Sequence, residues 1–97
     1  MHAPTMVRDL RELRSFVEEI ICDQNQLEPR AFRMTERPLL RHGKPCGIYF
    51  CLHGPRSVKL IAIWESEHNT VLFYGSNGER TLRCRLPVAP RHAFATA

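Results

Sequence analysis

The chain has 97 residues, of which 43% are hydrophobic and 25% are charged, and its formal net charge is +4. This length accommodates one domain with a single core, and the composition excludes a disordered or collagen-like chain. No apolar run approaches the roughly 18 residues of a membrane span, and the N-terminal residues lack the order of a secretory signal, so we expect a cytoplasmic protein without a membrane partner.

Apolar residues recur at steps of three and four along residues 6–25, which predicts an amphipathic N-terminal helix. The apolar stripe consists of Met6, Leu10, Leu13, Val17, Ile20 and Ile21, widened by Phe16. Thr5 is the predicted N-cap, Asn25 can end the helix, and Pro29 prevents its continuation. We expect the stripe to pack on a sheet and the opposite side, which includes Cys22, to face water.

Apolar and polar residues alternate from Arg30 onward, which is the period of a β-strand. Strands are predicted at 31–37, 46–53, 58–66, 70–75 and 80–86. Pro38 interrupts the first of them, which suits either a strand at the edge of a sheet or an early end of the strand. The connecting segments are short and rich in Gly, Pro and Asn, as in an antiparallel meander.

The predicted fold class is therefore α+β, with one N-terminal amphipathic helix packed on one face of a four- or five-stranded antiparallel β-meander. One domain is expected to cover residues 1–86. Residues 87–97 show no periodicity, and we expect them to form a mobile C-terminal tail.

The dipeptide at 77–78, Asn-Gly, predicts a hairpin with a two-residue type I′ turn. Such a turn fixes the register of the last two strands, because each residue then has a defined partner. Phe73 is predicted to face Leu82 on the helix side of the sheet, and Tyr74 to face Thr81 on the other side.

A second two-residue turn is predicted at 68–69, which would place Trp64 opposite Phe73. Both turns assign the same apolar side chains to one face, where the helix is expected to pack. Trp64, the only tryptophan, is interpreted as the largest side chain of that core.

The opposite face of the predicted sheet is apolar as well, although a solvated face normally alternates with polar residues. It carries Tyr49, Cys51, Ile61, Ile63, Leu72 and Tyr74. Three coverings are possible: the C-terminal tail, anchored by Val88 and Phe94; a second copy in a two-fold dimer; or another protein or a small apolar ligand.

The first functional hypothesis is a non-enzymatic interaction or regulatory module that self-associates, or binds a protein partner, through this face. A homodimer is the partner expected first. The predicted partner-binding residues are Tyr49, Ile61, Ile63, Leu72 and Tyr74.

The alternative hypothesis is a small nucleic-acid-binding domain. Arg80, Arg83 and Arg85 form the densest basic cluster, and they are the predicted anion-binding residues. Arg83 and Arg85 are predicted to share a face with Tyr74, whereas Arg80 is predicted to point the other way. Basic residues among aromatic ones suit a single-stranded nucleic acid, but arginines on an edge strand also prevent sheet-to-sheet aggregation.

No catalytic motif is present, and we expect neither an enzyme nor a cofactor. Cys51 and His53 would project from one face and could form a thiolate–imidazole pair, but no third orienting group is identifiable. The spacing of Cys46 and Cys51 is not that of a zinc motif. All four cysteines are therefore expected to be free, and no metal is expected.

Overall fold

The computed structural model describes residues 7–91 and 93–94. The elements are α1 (Leu10–Gln24), β1 (Met34–Arg41), β2 (Lys44–His53), β3 (Lys59–Glu65), β4 (Thr70–Tyr74) and β5 (Arg80–Arg85). All five strands are antiparallel and lie in one sheet in the order β1-β2-β3-β4-β5. The predicted α+β fold, a helix on a β-meander, is confirmed. Within the described residues, no helix has the length and apolar character to cross a membrane.

The helix begins at an N-cap on Asp9, four residues after the predicted Thr5, which lies outside the described residues. The Asp9 carboxylate accepts a hydrogen bond of 2.9 Å from the Glu12 amide. In return the Glu12 carboxylate accepts one of 2.8 Å from the amide of Arg8, the residue before the N-cap, so acidic side chains bind free N–H groups at the start of the helix. The helix ends at Asn25, as predicted.

The apolar stripe of the helix packs against one face of the sheet and forms the core. The largest fully buried side chains there are Leu13, Val17, Ile21, Cys22, Phe50, Leu52, Leu60, Val71 and Phe73. The predicted solvated position of Cys22 is wrong, because only 1% of this residue is exposed. The chain after the helix folds back over it: the Leu27 amide donates to the Cys22 carbonyl oxygen at 2.9 Å, and Leu27 packs on the core.

The first strand runs from Met34 to Arg41, through Pro38, rather than over 31–37. An edge strand tolerates a proline, because the missing N–H need not have a partner in the sheet. The turn into β2 consists of His42 and Gly43, with φ angles of +53° and +77°. Positive φ at both central residues is typical of a type I′ turn. The β1–β2 hairpin therefore has the type of turn that the sequence predicts for the β4–β5 hairpin.

The β4–β5 pairing confirms the predicted register over most of its length. Phe73 lies opposite Leu82, as predicted. Next to the connecting loop the register shifts by one residue, so that Tyr74 pairs with Arg80 and not with the predicted Thr81.

The loop between β4 and β5 explains this shift. Gly75 donates a hydrogen bond of 2.9 Å to the Glu79 carbonyl oxygen, which encloses the three residues 76–78. Only the last of them, Gly78, has a positive φ, of +83°. A three-residue loop of this kind ends in a bulge, whereas the predicted type I′ turn requires positive φ at both central residues.

The β3–β4 connection is longer than predicted. It contains four residues, 66–69, and it places Trp64 opposite Val71 instead of Phe73. The predicted pairing is therefore wrong by two residues. Since side chains alternate with a period of two, a shift of two leaves every side chain on its predicted face.

Asn69 holds this four-residue turn in place. Its side-chain oxygen accepts a hydrogen bond of 2.9 Å from the Trp64 indole, and its amide nitrogen donates to the Leu86 carbonyl oxygen at 3.2 Å. Its φ of +49° is one that asparagine tolerates better than most residues. One side chain thus links the turn, the core tryptophan and the end of β5.

We predict that replacing Asn69 by glycine lowers the free energy of unfolding by about 1–3 kcal/mol, because the buried indole N–H of Trp64 loses its acceptor. Glycine adopts a positive φ without strain, so the loss of stability measures the contribution of the Asn69 side chain and not a strained backbone. Urea denaturation measures it. Gln26→Gly, at an exposed residue whose φ is also positive (+50°), is the matched control and should change stability by about 0.5 kcal/mol or less. Equal losses in the two variants would contradict the role of Asn69.

Candidate binding face of the sheet

The side of the sheet that points away from α1 is called the outer face. Along β3, buried residues alternate with partly exposed ones, and the partly exposed Ile61 and Ile63 belong to the outer face. Cross-strand pairing extends this face over the whole sheet. Its principal residues are Thr35, Arg37, Tyr49, Cys51, Lys59, Ile61, Ile63, Glu65, Thr70, Leu72, Tyr74, Arg80, Arg83 and Arg85.

The five predicted partner-binding residues lie together at the centre of the outer face. Tyr49 pairs with Ile63, Ile63 pairs with Leu72, and Ile61 pairs with Tyr74. These five residues are called the apolar strip. All are half-buried, because neighbouring side chains shield one another. The most exposed large apolar side chains of the described residues, Leu40, Val88 and Phe94, lie outside the strip.

Cations surround the apolar strip on the outer face. They are Arg37, Lys59, Arg80, Arg83 and Arg85, all of them exposed. None of these five residues forms an ion pair with a carboxylate in the described part of the chain. Arg37 places its guanidinium 4.7 Å from the centre of the Tyr49 ring, a cation–π contact.

The outer face has little negative charge to balance these cations. Among the described strand residues, Glu65 is the only acidic one on this face. Its carboxylate accepts a hydrogen bond of 2.6 Å from the backbone amide of His68. The face therefore combines an apolar centre with a net positive border.

Arg80 lies on the outer face, which corrects the prediction that it points the other way. The bulge in β5 is the cause. Thr81 donates a hydrogen bond of 3.1 Å to the Gln24 side chain of α1, so Thr81 faces the helix side like the following residue Leu82. Arg80 consequently pairs with Tyr74, and it lines a shallow cavity together with Arg83 and Leu72. All three arginines of β5 therefore border the strip.

A shallow depression of about 310 Å³ lies on the outer face. Its lining combines both tyrosines and both isoleucines of the strip with Lys59 and the loop at 75–78. The depression is broadly open to solvent, so it does not enclose a small molecule.

The C-terminal tail does not cover the outer face in its described part. The Arg91 amide donates to the Arg8 carbonyl oxygen at 2.7 Å, beside the start of α1. Ala93 is buried in the core, and the Phe94 ring lies 5.4 Å from that of Trp64. Arg91, Ala93 and Phe94 thus lie on the helix side of the sheet. The mobility of the tail stays a prediction.

Cys51 and His53, the candidate thiolate–imidazole pair, form no hydrogen bond with each other in the described part of the chain. Cys51 is buried, with 5% of it exposed. The His53 ring lies 3.1 Å from the Thr35 hydroxyl oxygen, with which it can share a hydrogen bond. The imidazole is thus engaged by a hydroxyl on the neighbouring strand.

The four cysteine thiols are free in the structure. Burial raises the pKa of the Cys22 and Cys84 thiols, and the carboxylates of Glu18 and Glu28 raise that of Cys22 further. Within residues 7–91 and 93–94, no three His, Cys, Asp or Glu side chains cluster as metal ligands would.

Comparison with protein-family models, with curated proteins and with solved structures gives no match to this chain. What the outer face can bind must therefore follow from its own geometry and charge.

We predict that iodoacetamide modifies Cys46 in the folded protein well before Cys22 or Cys84. Cys46 is half-buried, whereas burial both raises the pKa of the other two thiols and excludes the reagent. Because the thiolate is the reactive form, reaction of Cys22 and Cys84 should accelerate as pH rises. Mass spectrometry of peptides from a time course measures each site.

The same time course in concentrated urea is the control, in which all thiols should react at similar rates. Modification of Cys22 at the rate of Cys46 in the native protein would contradict the buried position of Cys22.

Proposed function

We propose that this chain is a non-enzymatic binding module whose outer face binds an anionic partner. One observation carries the proposal: the apolar strip is bordered by five cations that have no carboxylate partner among the described residues, with one acidic side chain on the same face. Four of the five are arginines, whose planar donor fork matches phosphate and carboxylate oxygens.

An apolar centre and a charged border have complementary roles in such a face. The strip supplies contact area that becomes buried when a partner binds, and each buried side chain contributes on the order of 1–3 kcal/mol. The cations attract an anionic partner over a distance of about 8–10 Å at physiological ionic strength. Neighbouring unpaired cations also repel one another, and a bound anion removes that repulsion.

Self-association through the outer face, as a homodimer, is the second candidate, and docking of another protein belongs with it. The apolar strip favours it, because five half-exposed apolar side chains on adjacent strands resemble the centre of an interface. A two-fold axis through the strip would, however, bring the cationic borders of both copies together, and like charges across an interface are costly. Raising the salt concentration separates the candidates, since apolar association persists and anion binding weakens.

We predict that Arg80→Gln/Arg83→Gln elutes from immobilised heparin at a clearly lower sodium chloride concentration than the unaltered chain, because the outer face loses two adjacent cations. Heparin serves as a polyanion probe. The matched control is Arg11→Gln/Arg91→Gln, which removes the same charge from two exposed arginines outside the outer face. The control should elute close to the unaltered chain.

Equal shifts for the two double variants would mean that heparin senses only net charge, and would contradict an anion-binding outer face. Circular dichroism of each variant verifies that the sheet is intact, and all four substituted side chains are exposed.

A further inference from the structure

We infer that the anionic partner of the outer face is a single-stranded nucleic acid, with bases on the apolar strip and phosphates on the bordering arginines. This inference rests on the proposed binding role of the face and names its ligand class. It draws on three features: the two tyrosines of the strip, the arginines that flank Leu72 and Tyr74, and the flat, open surface between them.

The two tyrosines are placed to stack separate bases. Tyr49 on β2 lies opposite Ile63, and Tyr74 on β4 lies opposite Ile61, so β3 separates them. From a strand spacing of about 4.8 Å and a rise of about 3.3 Å per residue, their Cα atoms are about 12 Å apart along a diagonal. Both tyrosines line the shallow depression of the outer face, together with Ile61 and Ile63.

Planar cations extend this stacking surface. The Arg37 guanidinium already lies over the Tyr49 ring at 4.7 Å, and a guanidinium in that position presents a second planar group to a ligand. Bases stack on aromatic rings and on guanidinium planes with little dependence on sequence. The ligand that makes full use of the face therefore carries flat rings as well as negative charge.

The arginines of β5 provide phosphate positions beside the strip. Arg80 pairs with Tyr74 and Arg83 pairs with Leu72, and both line the same shallow cavity, in which these two cations outnumber the one carboxylate, that of Glu65. Each therefore lies next to a strip residue on which a base could rest. A nucleic-acid strand alternates bases and phosphates along its length, which matches an apolar strip bordered by guanidinium groups.

Two other polyanions fit the face less well. A duplex conceals its bases, and reaching their edges requires a helix or a narrow β-ribbon in a groove, whereas the outer face belongs to a five-stranded sheet. An acidic peptide could pair with the arginines, but its carboxylates would not use the diagonal pair of tyrosines.

The test uses a fluorescently labelled oligothymidylate of about ten nucleotides, within the ~4–16 nucleotides that a single-strand-binding domain covers. Fluorescence anisotropy should show binding that weakens steeply as the salt concentration rises.

Tyr74→Ala should weaken this binding by about 5- to 100-fold, and Tyr74→Phe should retain it, because stacking requires the ring and not the hydroxyl. Arg83→Gln should lower the slope of log affinity against log salt by about 0.7, and Arg11→Gln should leave it unchanged.

Several outcomes would overturn the inference. They are equal affinity for a duplex of the same length, displacement of the oligonucleotide by an equal concentration of polyglutamate, and equal affinities of Tyr74→Ala and Tyr74→Phe. If Tyr74→Ala does not fold, the exposed Arg83→Gln variant decides, and an unchanged salt slope refutes the phosphate contact.

The heparin experiment distinguishes failure of this inference from failure of the proposed function. If heparin retention depends on Arg80 and Arg83 but oligothymidylate does not bind, the outer face binds anions of another class and the single-strand inference is wrong. If neither ligand depends on these arginines, both proposals are wrong.

Discussion

One helix can cover only one face of a five-stranded sheet, and the rest of this structure depends on that constraint. The helix stripe and the described end of the tail both pack on the same side, where they enclose Trp64, Phe50 and Phe73. The outer face is left without a covering element in the described part of the chain, so its own side chains must make it compatible with water. Half-buried apolar residues at its centre shield one another, and long cationic side chains form its border.

The bulge in β5 connects local backbone chemistry to the charge of the outer face. Gly78 adopts a positive φ, the loop closes with three residues, and one extra residue enters the strand. Thr81 then donates a hydrogen bond to Gln24 of the helix, and Arg80 consequently lies beside Tyr74 on the outer face. A regular hairpin would place Arg80 on the helix side, because side chains alternate between faces. The shape of one turn thereby decides whether two or three arginines of the strand border the strip.

The helix, the order of the strands and the membership of the apolar strip could be predicted from the sequence, because periodicities of 3.6 and two residues reflect burial directly. The details that failed depend on contacts between distant residues. The four-residue turn before β4 depends on the bond between Trp64 and Asn69, and the burial of Cys22 depends on the chain that folds back after the helix. The face on which Arg80 lies could be predicted only if the type of the β4–β5 loop were known. The Asn-Gly dipeptide does not decide it, since it fits both a two-residue turn and the last two positions of a three-residue loop.

The central claim is that the outer face, and not the helix side, is the binding surface of this chain. Amide chemical-shift mapping by nuclear magnetic resonance, during titration with oligothymidylate, tests it most directly. We predict that the perturbed amides concentrate on β2–β5 around Ile61, Ile63 and Leu72, together with the side-chain Nε–H signals of Arg80 and Arg83. Perturbations confined to α1, or to the helix side of the sheet around Phe94 and Trp64, would contradict the claim.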